Sequence, residues 1–167
     1  MARYLEIGRR TYALRFTLRA ILRANQATGK PFSALFGRGT RGLCALLYCA
    51  LCEDAPRLTL QGAAALLRRA LREHPRGEVR EALLSALAES GFDRDGADEA
   101  QAERLLDAAA RAGYPDPEAL PGMTLREIDR ALVSFCVRSG RAASLPMTAG
   151  QMADALRHFA GGIHEHT

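Results

Sequence analysis

The sequence has no tryptophan, almost no lysine and no apolar run long enough to cross a membrane. Lys30 is the single lysine among 167 residues, so arginine supplies nearly all of the positive charge. The longest apolar run, residues 43–52, is ten residues long, against the ~20 that a membrane-spanning helix needs, and it predicts a buried helix instead. The first ten residues lack the basic-then-apolar pattern of a secretory signal, so we expect no export.

The net charge of +4 conceals an asymmetry between two parts of the chain. Residues 1–90 carry 15 basic and 7 acidic side chains, a net charge of +8, whereas residues 91–167 carry 8 and 12, a net charge of −4. The sign changes at GFDRDGAD, residues 91–98, whose glycines and acidic side chains are typical of a linker. The sequence therefore predicts a first module over 1–90, a linker over 91–98, a smaller helical module over 99–160 and a flexible tail over 161–167.

Two short strands are predicted at the N-terminus. Apolar and polar side chains alternate on both sides of Gly8, from Tyr4 to Ile7 and from Tyr12 to Phe16, which is typical of a β-hairpin. An isolated hairpin is marginally stable in water, so this one must pack on other elements. The rest of the chain has helical periodicity. The predicted fold class is therefore mainly α (α+β): a short N-terminal β-hairpin, then a helical bundle, then a smaller helical module.

Threonines and glycines mark the predicted helix boundaries. Thr17 and Thr59 are predicted N-caps, and Gly29 is a predicted C-terminal stop. Thr124 and Glu127 match the capping box, in which each side chain bonds the backbone N–H of the other residue. Breaks in the helical pattern are predicted at Gly37, Gly39 and Gly42. The last predicted helix carries Met152, Ala155, Leu156 and Phe159.

Three cysteines, Cys44, Cys49 and Cys52, follow the C-x4-C-x2-C spacing of plant-type ferredoxins, with Cys136 as a distant fourth thiol. Cluster ligands need a loop that folds around the metal, whereas LCALLYCALC is an apolar helical run. At about 100° per residue, Cys49 lies about 140° and Cys52 about 80° around the helix from Cys44. Such thiolates do not converge on one cluster. Core packing is therefore the preferred interpretation, and an iron–sulfur protein is the alternative.

Other motifs give no catalytic set. GRGTRG, residues 37–42, is glycine-rich and basic, but it follows a helical turn and has no lysine to reach a phosphate, so a flexible connection is predicted. His158, His164 and His166 lie around a Gly-Gly pair, where a disordered tail is preferred over a metal site. The sequence has no Walker loop, G-x-S-x-G elbow or H-E-x-x-H motif. We therefore predict no enzymatic activity, cofactor or metal site.

Two sets of arginines raise the alternative of a small basic helical nucleic-acid-binding regulator. In the first set, interleaved carboxylates favour i,i+4 ion pairs on a solvated surface. The second set has fewer acidic neighbours and suits an acidic protein as well as a phosphate backbone. Because arginine and alanine are both abundant, GC-rich coding explains much of the arginine count. The first set is Arg68, Arg69, Arg72, Arg76 and Arg80, and the second is Arg3, Arg9, Arg10, Arg15, Arg19 and Arg23.

The order of elements over residues 3–90 resembles that of phage tail assembly chaperones, including the tail chaperones of gene transfer agents. Four strings carry the resemblance: YLEIGRRTYALRFTLRAIL, ATGKPFSAL, RGLCALLYCAL and LTLQGAAALL. In that family a hairpin leads directly into a helix, and a Thr-Gly-Lys-Pro-Phe stop, a buried aromatic-containing helix and a Leu-Thr-Leu helix start follow. This chain departs from the family at Asn25 and Gln26, where an acidic pair is expected.

The second half of the chain is similar to the short downstream tail-chaperone segment. It reads LLDAAARAGYPDPEALPGMTLREIDRAL, with a helix, a Gly-aromatic-Pro turn and a Met-Thr-x-x-Glu helix start in succession. In many tailed phages the two pieces are made as a short product and a longer, frameshifted product. Here both lie in one chain.

The resemblance implies a non-enzymatic assembly chaperone or adaptor. Such a protein binds the tape measure protein, keeps its apolar helical stretches from aggregating and helps to recruit tail tube subunits. The resemblance also implies location in the bacterial host cytoplasm and absence from the mature particle. Self-association is a further expectation, whereas a membrane or nucleic-acid partner is not expected. Candidate partner contacts are the aromatic side chains Phe32, Phe36, Tyr48 and Tyr114, with core packing as the alternative for each.

Overall fold

The structure, a computed structural model, describes residues 3–32, 34, 39–92 and 98–140. In this part of the chain, α-helices follow a two-stranded antiparallel sheet, so the predicted mainly helical fold with a short N-terminal hairpin is confirmed. The strands are β1 (Arg3–Ile7) and β2 (Arg10–Leu14). The helices are α1 (Leu18–Thr28), α2 (Thr40–Leu51), α3 (Leu60–Glu73), α4 (Arg76–Glu89), α5 (Asp98–Ala112) and α6 (Leu125–Arg138). A short 3-10 helix, Leu120–Gly122, precedes α6.

The hairpin buries one face against the helices, as an isolated hairpin requires. Gly8 adopts the positive φ of 68° that its two-residue turn needs, and Leu5 pairs with Tyr12 across the strands. Side chains alternate across a strand, so Leu5, Ile7, Tyr12 and Leu14 all enter the core while their neighbours remain more exposed. β1 packs on α3 and α4, and β2 packs on α2.

The hairpin turn is tied to the end of α3. The carboxylate of Glu73 accepts a hydrogen bond from the backbone N–H of Gly8, and it is also paired with Arg69 at 3.0 Å. The Gly8 amide and then Arg69 hold the pKa of Glu73 below its ordinary value. His74 Nε2 lies 2.8 Å from the carbonyl oxygen of Glu6, on β1. The first strand is therefore fixed by residues far away in the sequence.

The predicted caps of α1 and α3 are confirmed. Thr17 Oγ1 accepts a hydrogen bond from the N–H of Ala20 at 3.1 Å, and Thr59 Oγ1 accepts one from the N–H of Gly62 at 3.1 Å. Gly29 ends α1 in the left-handed conformation, with φ of 64°. Its N–H donates to a backbone carbonyl of the last turn, which satisfies an acceptor that the helix end would leave open.

The predicted break at Gly42 is wrong, because α2 begins at Thr40. Gly39 is the N-cap residue, and Gly42 lies in the first helical turn. A glycine inside a helix costs about 1 kcal/mol relative to alanine. Burial of the apolar side chains that follow, from Leu43 onwards, offsets that cost. All of residues 45–51 are buried, so the predicted central, surrounded helix is confirmed.

The later part of the described chain packs directly on the earlier part. The N–H of Leu18 donates to the carbonyl of Met123 at 3.2 Å, and the N–H of Arg126 donates to the carbonyl of Ser90 at 3.1 Å. One core cluster contains buried side chains from both parts. The module boundary at residues 91–98 stays a prediction, because 93–97 lie outside the described residues.

Glu127 connects α6 to the residue after β2. The predicted capping box is confirmed: Thr124 Oγ1 accepts from the N–H of Glu127 at 3.2 Å, and the Glu127 carboxylate accepts from the N–H of Thr124 at 2.8 Å. Arg15 bonds both carboxylate oxygens, at 2.9 and 2.7 Å. Burial alone raises the pKa of Glu127. The Thr124 hydrogen bond and the Arg15 charge outweigh burial and hold the pKa below its ordinary value.

Several predictions fall on residues 141–167, outside the described part of the chain. They are the last helix, the flexible tail and the histidine cluster. Among the residues that the structure describes, no helix combines the length and the apolar content that crossing a bilayer requires.

Candidate binding groove

An open groove lies where the end of α1, the start of α2 and the first turns of α3 meet. Its volume is about 650 Å³, within the range of sites that hold small ligands or several side chains of a partner. Lys30 and Ala34 line it between α1 and α2. The helices contribute Ala27 and Thr28 from α1, Thr40, Arg41, Gly42, Cys44 and Ala45 from α2, and Leu60, Gln61 and Ala64 from α3. We call it the α1–α2–α3 groove.

Small side chains on all three helices create this groove. Gly42 and Ala45 are three positions apart and share one face of α2, while Ala27 and Ala64 face them from α1 and α3. Protein interiors are close-packed, so longer side chains at these positions would occupy the space. The floor is Ala45, which is buried, and Ala27 is exposed at the rim. The helices thus leave a depression with apolar walls on the protein surface.

The rim of the groove is positively charged. Lys30 and Arg41 are exposed, and none of the described lining residues is acidic. The N-terminus of α2 opens here as well, with no acidic side chain in its first turn. Gly39, its N-cap residue, makes no side-chain hydrogen bond to that turn. The first backbone N–H groups and the positive end of the helix dipole therefore add to the charge of the two side chains.

Cys44 lies in the wall of the groove. Its Sγ is 3.8 Å from the carbonyl oxygen of Leu60, and the side chain is half-buried. Burial raises the pKa of this thiol, and the charge of Arg68 opposes that rise. The net upward direction keeps the thiol protonated at neutral pH, so Cys44 contributes apolar surface rather than a nucleophile.

The other cysteines are core residues. Cys49, Cys52 and Cys136 are buried, so core packing is confirmed for these three thiols, whereas Cys44 is half-buried at the groove. Burial also raises the pKa of Cys49 and of Cys52. Among the described residues, no group of three or more His, Cys, Asp or Glu side chains is placed to hold a metal ion.

The aromatic candidates lie mostly in the interior. Phe32 is 1% exposed and Tyr48 is 6% exposed, so core packing is the correct alternative for these two rings and exposed partner contact is wrong for them. Tyr114 is half-buried and packs edge-on against Phe135, with ring centroids 5.5 Å apart. Phe36 lies outside the described residues. The structure does not bring the described aromatic candidates together into one surface patch.

Most arginines of the predicted nucleic-acid surface are exposed, while Arg15 and Arg23 are half-buried, and several are paired with carboxylates. Arg69 pairs with Glu73 at 3.0 Å, as the i,i+4 spacing predicts. In the N-terminal set, Arg3 pairs with Glu89 at 2.7 Å and Arg15 pairs with Glu127. All five arginines of the first set are exposed: Arg68, Arg69, Arg72, Arg76 and Arg80. Ion pairing with the chain's own carboxylates reduces the field that these side chains present to a phosphate backbone.

Sequence reasoning missed the groove residues. Ala27, Gly42 and Ala64 lie on three separate helices, and each reads as an ordinary small residue. The sequence does place a small residue near the end of α1 and small residues near the starts of α2 and α3. Together, these positions are the pattern that could have indicated the groove.

Comparison with known proteins finds no matching family model, no similar curated protein and no similar solved structure.

Proposed function

We propose that this chain is a non-enzymatic assembly chaperone or adaptor that binds apolar helical segments of a tape measure protein during phage or phage-like tail assembly. The observation that carries the proposal is the α1–α2–α3 groove, an open depression of about 650 Å³ with small apolar side chains on three helices. The resemblance over residues 3–90 supplies the identity of the partner.

The shape of the groove supports a helical ligand. An amphipathic helix binds by placing its apolar side chains in a groove between the helices of its partner, and the small residues Ala27, Ala45 and Ala64 leave room for such side chains. Apolar segments that are covered in this way are withheld from aggregation. The same groove leaves the rest of the ligand helix exposed, so further subunits have access to it.

The composition of the groove favours binding over catalysis. Among its described lining residues, Cys44 is the single thiol, and no histidine or carboxylate lies beside it to accept a proton. Nucleophilic catalysis by a cysteine requires such a base or a lowered pKa. Burial moves the pKa of Cys44 in the opposite direction.

Coexpression with a tape measure protein, which we expect to be encoded beside this chain, tests the proposal. We expect the partner to become more soluble and to copurify with the chain. Ala64→Phe, which fills the groove, should abolish copurification, whereas Ala65→Phe should retain it because Ala65 is exposed on the same helix and does not line the groove. Thermal melts of both variants establish that they remain folded.

The outcome that overturns the proposal is a partner whose solubility is unchanged and which does not copurify with the wild-type chain. DNA affinity measured at increasing salt distinguishes the nucleic-acid alternative. A regulator loses affinity steeply as salt rises, because bound phosphates release counterions. We expect no DNA binding at low salt.

A further inference from the structure

We propose that the α1–α2–α3 groove selects an acidic amphipathic helix: its apolar side chains enter the groove, and its carboxylates lie against Lys30, Arg41 and the N-terminus of α2. The inference rests on the proposed function and specifies the chemistry of the segment that is bound. The occupant is thus a helical segment of a partner protein whose polar face carries Asp or Glu.

The charges around the groove complement an acidic ligand. Lys30 and Arg41 are both exposed at the rim, and the described lining residues include no carboxylate that would neutralise them. Arg68 adds a third positive charge, close enough to the Cys44 thiol in the groove wall to act on it electrostatically. Complementary charges at the rim of an apolar site steer the encounter and fix the orientation of the ligand.

The N-terminus of α2 has no side-chain cap. This helix is 12 residues long, and a Gly N-cap gives its first turn no side-chain acceptor. By contrast, Thr17, Thr59 and Thr124 cap α1, α3 and α6, whereas α4, like α2, begins without a side-chain cap. Two of these helices, α2 and α3, begin at the groove, and of these two starts that of α2 lacks the side-chain cap. A carboxylate from the bound helix supplies the missing acceptor and meets the positive end of the helix dipole.

Two designed peptides test the charge preference. Each is an 18-residue helix with leucine at positions i, i+3, i+4 and i+7, and the polar positions are Glu-rich in one and Lys-rich in the other. Binding is followed by fluorescence anisotropy of a label on the peptide. We expect the acidic peptide to bind about tenfold more tightly, which is about 1.4 kcal/mol, and to lose most of that advantage in high salt. Lys30→Glu with Arg41→Glu should reverse the preference.

Substitutions at Gly39 distinguish an effect on ligand binding at the α2 N-terminus from an effect on the stability of the fold. A Cβ at Gly39 meets no atom within 4 Å, so both Asp and Asn fit there. Both are good N-cap residues, and each variant should be at least as thermally stable as the wild type. Only Gly39→Asp puts a fixed negative charge where the ligand carboxylate binds. We expect it to weaken the acidic peptide about two- to fivefold while Gly39→Asn changes the affinity less.

Each other outcome overturns a distinct claim. Equal affinity for the two peptides, or equal effects of Gly39→Asp and Gly39→Asn, overturns the acidic-helix inference and leaves the proposed function intact. A tape measure complex that survives Ala64→Phe, with neither peptide bound, shows that the chaperone acts through another surface. If the wild type is a dimer and Ala64→Phe dissociates it, the groove binds a second copy of this chain and the inference is overturned. Sedimentation velocity of the wild type and of the variant measures the oligomeric state.

Discussion

Replacement of Phe32 by alanine is expected to destabilise the fold strongly and is the sharpest test of its assignment to the core. The ring is 1% exposed and lies edge-on between two other rings, with centroids 6.2 Å from Phe16 and 5.9 Å from Phe92. These three aromatics come from the end of the hairpin, from the segment after α1 and from the residues after α4. Phe32 therefore joins three stretches of chain that are distant in sequence.

The expected magnitude follows from this environment. A buried Phe→Ala change costs about 3–5 kcal/mol, and each edge-to-face pair adds about 0.5–1.5 kcal/mol beyond area burial. Phe32→Ala should therefore reach the upper part of that range, about 4–5 kcal/mol. For a domain whose whole stability is about 5–15 kcal/mol, this leaves a marginal fold. At about 2–4 °C per kcal/mol, the melting temperature falls by roughly 8–20 °C.

Urea unfolding, monitored by far-UV circular dichroism, measures the loss of stability. Circular dichroism is used because the chain has no tryptophan for a fluorescence measurement. Phe32→Leu is the matched control: it keeps most of the volume, loses both ring pairs and should cost about 1–3 kcal/mol. A loss below about 1 kcal/mol for Phe32→Ala, together with lost binding of the tape measure protein, would refute the core assignment and return the ring to the interface.

Three other predictions concern a glycine, a carboxylate and a thiol. Gly91→Ala should lower the free energy of unfolding, measured by urea titration, by about 1–3 kcal/mol. Gly91 has φ of 91°, and the new Cβ would lie 3.0 Å from the backbone nitrogen of Arg126. Gly29→Ala is the control: no atom lies within 4 Å of its new Cβ, so its loss should be smaller. The pKa of Glu127 is lower in the folded protein than the value of about 4.3 for glutamate in the unfolded chain, so the carboxylate stabilises the fold above that pH. That stabilisation is lost as the pH falls through the folded pKa. In the Glu127→Gln variant, the melting temperature should therefore fall less steeply in acid. At pH 7 the same change should cost only about 0.2–1 kcal/mol, because the pair is substantially exposed. A maleimide should label Cys44 before the three buried thiols, and more slowly than free cysteine; mass spectrometry that finds another thiol modified first would contradict the structure.

The elements that the sequence predicts best are those set by local chemistry. The alternation around Gly8 predicts the hairpin, Thr17 and Thr124 predict helix starts, and Gly29 predicts a helix end. Each of these depends on backbone groups only a few residues away, so the pattern contains the information that determines the structure. The central helix α2 is also predicted, because the residues on every side of it are apolar.

What could not be predicted depends on contacts between distant residues. Gly42 reads as a break, yet the burial of α2 keeps it helical. Phe32 and Tyr48 allow both core packing and partner contact, because an apolar stretch of sequence does not show which of its side chains a distant segment covers. The groove depends on Ala27 and Ala64 facing the same space from two helices. No period in the sequence indicates how those helices are placed relative to each other.

The tie between the hairpin turn and α3 has a consequence for synthesis on the ribosome. Gly8 and Glu73 are 65 positions apart, and translation at about 5–20 residues per second needs about 3–13 s to add them. Until then the hairpin lacks α3, on which β1 packs, and its buried face and open edges are accessible to another chain. Arg3, Arg9 and Arg10 give every nascent hairpin the same sign of charge, which disfavours contact between neighbouring chains on a polysome. We infer that the N-terminal arginines protect the hairpin before α3 is made.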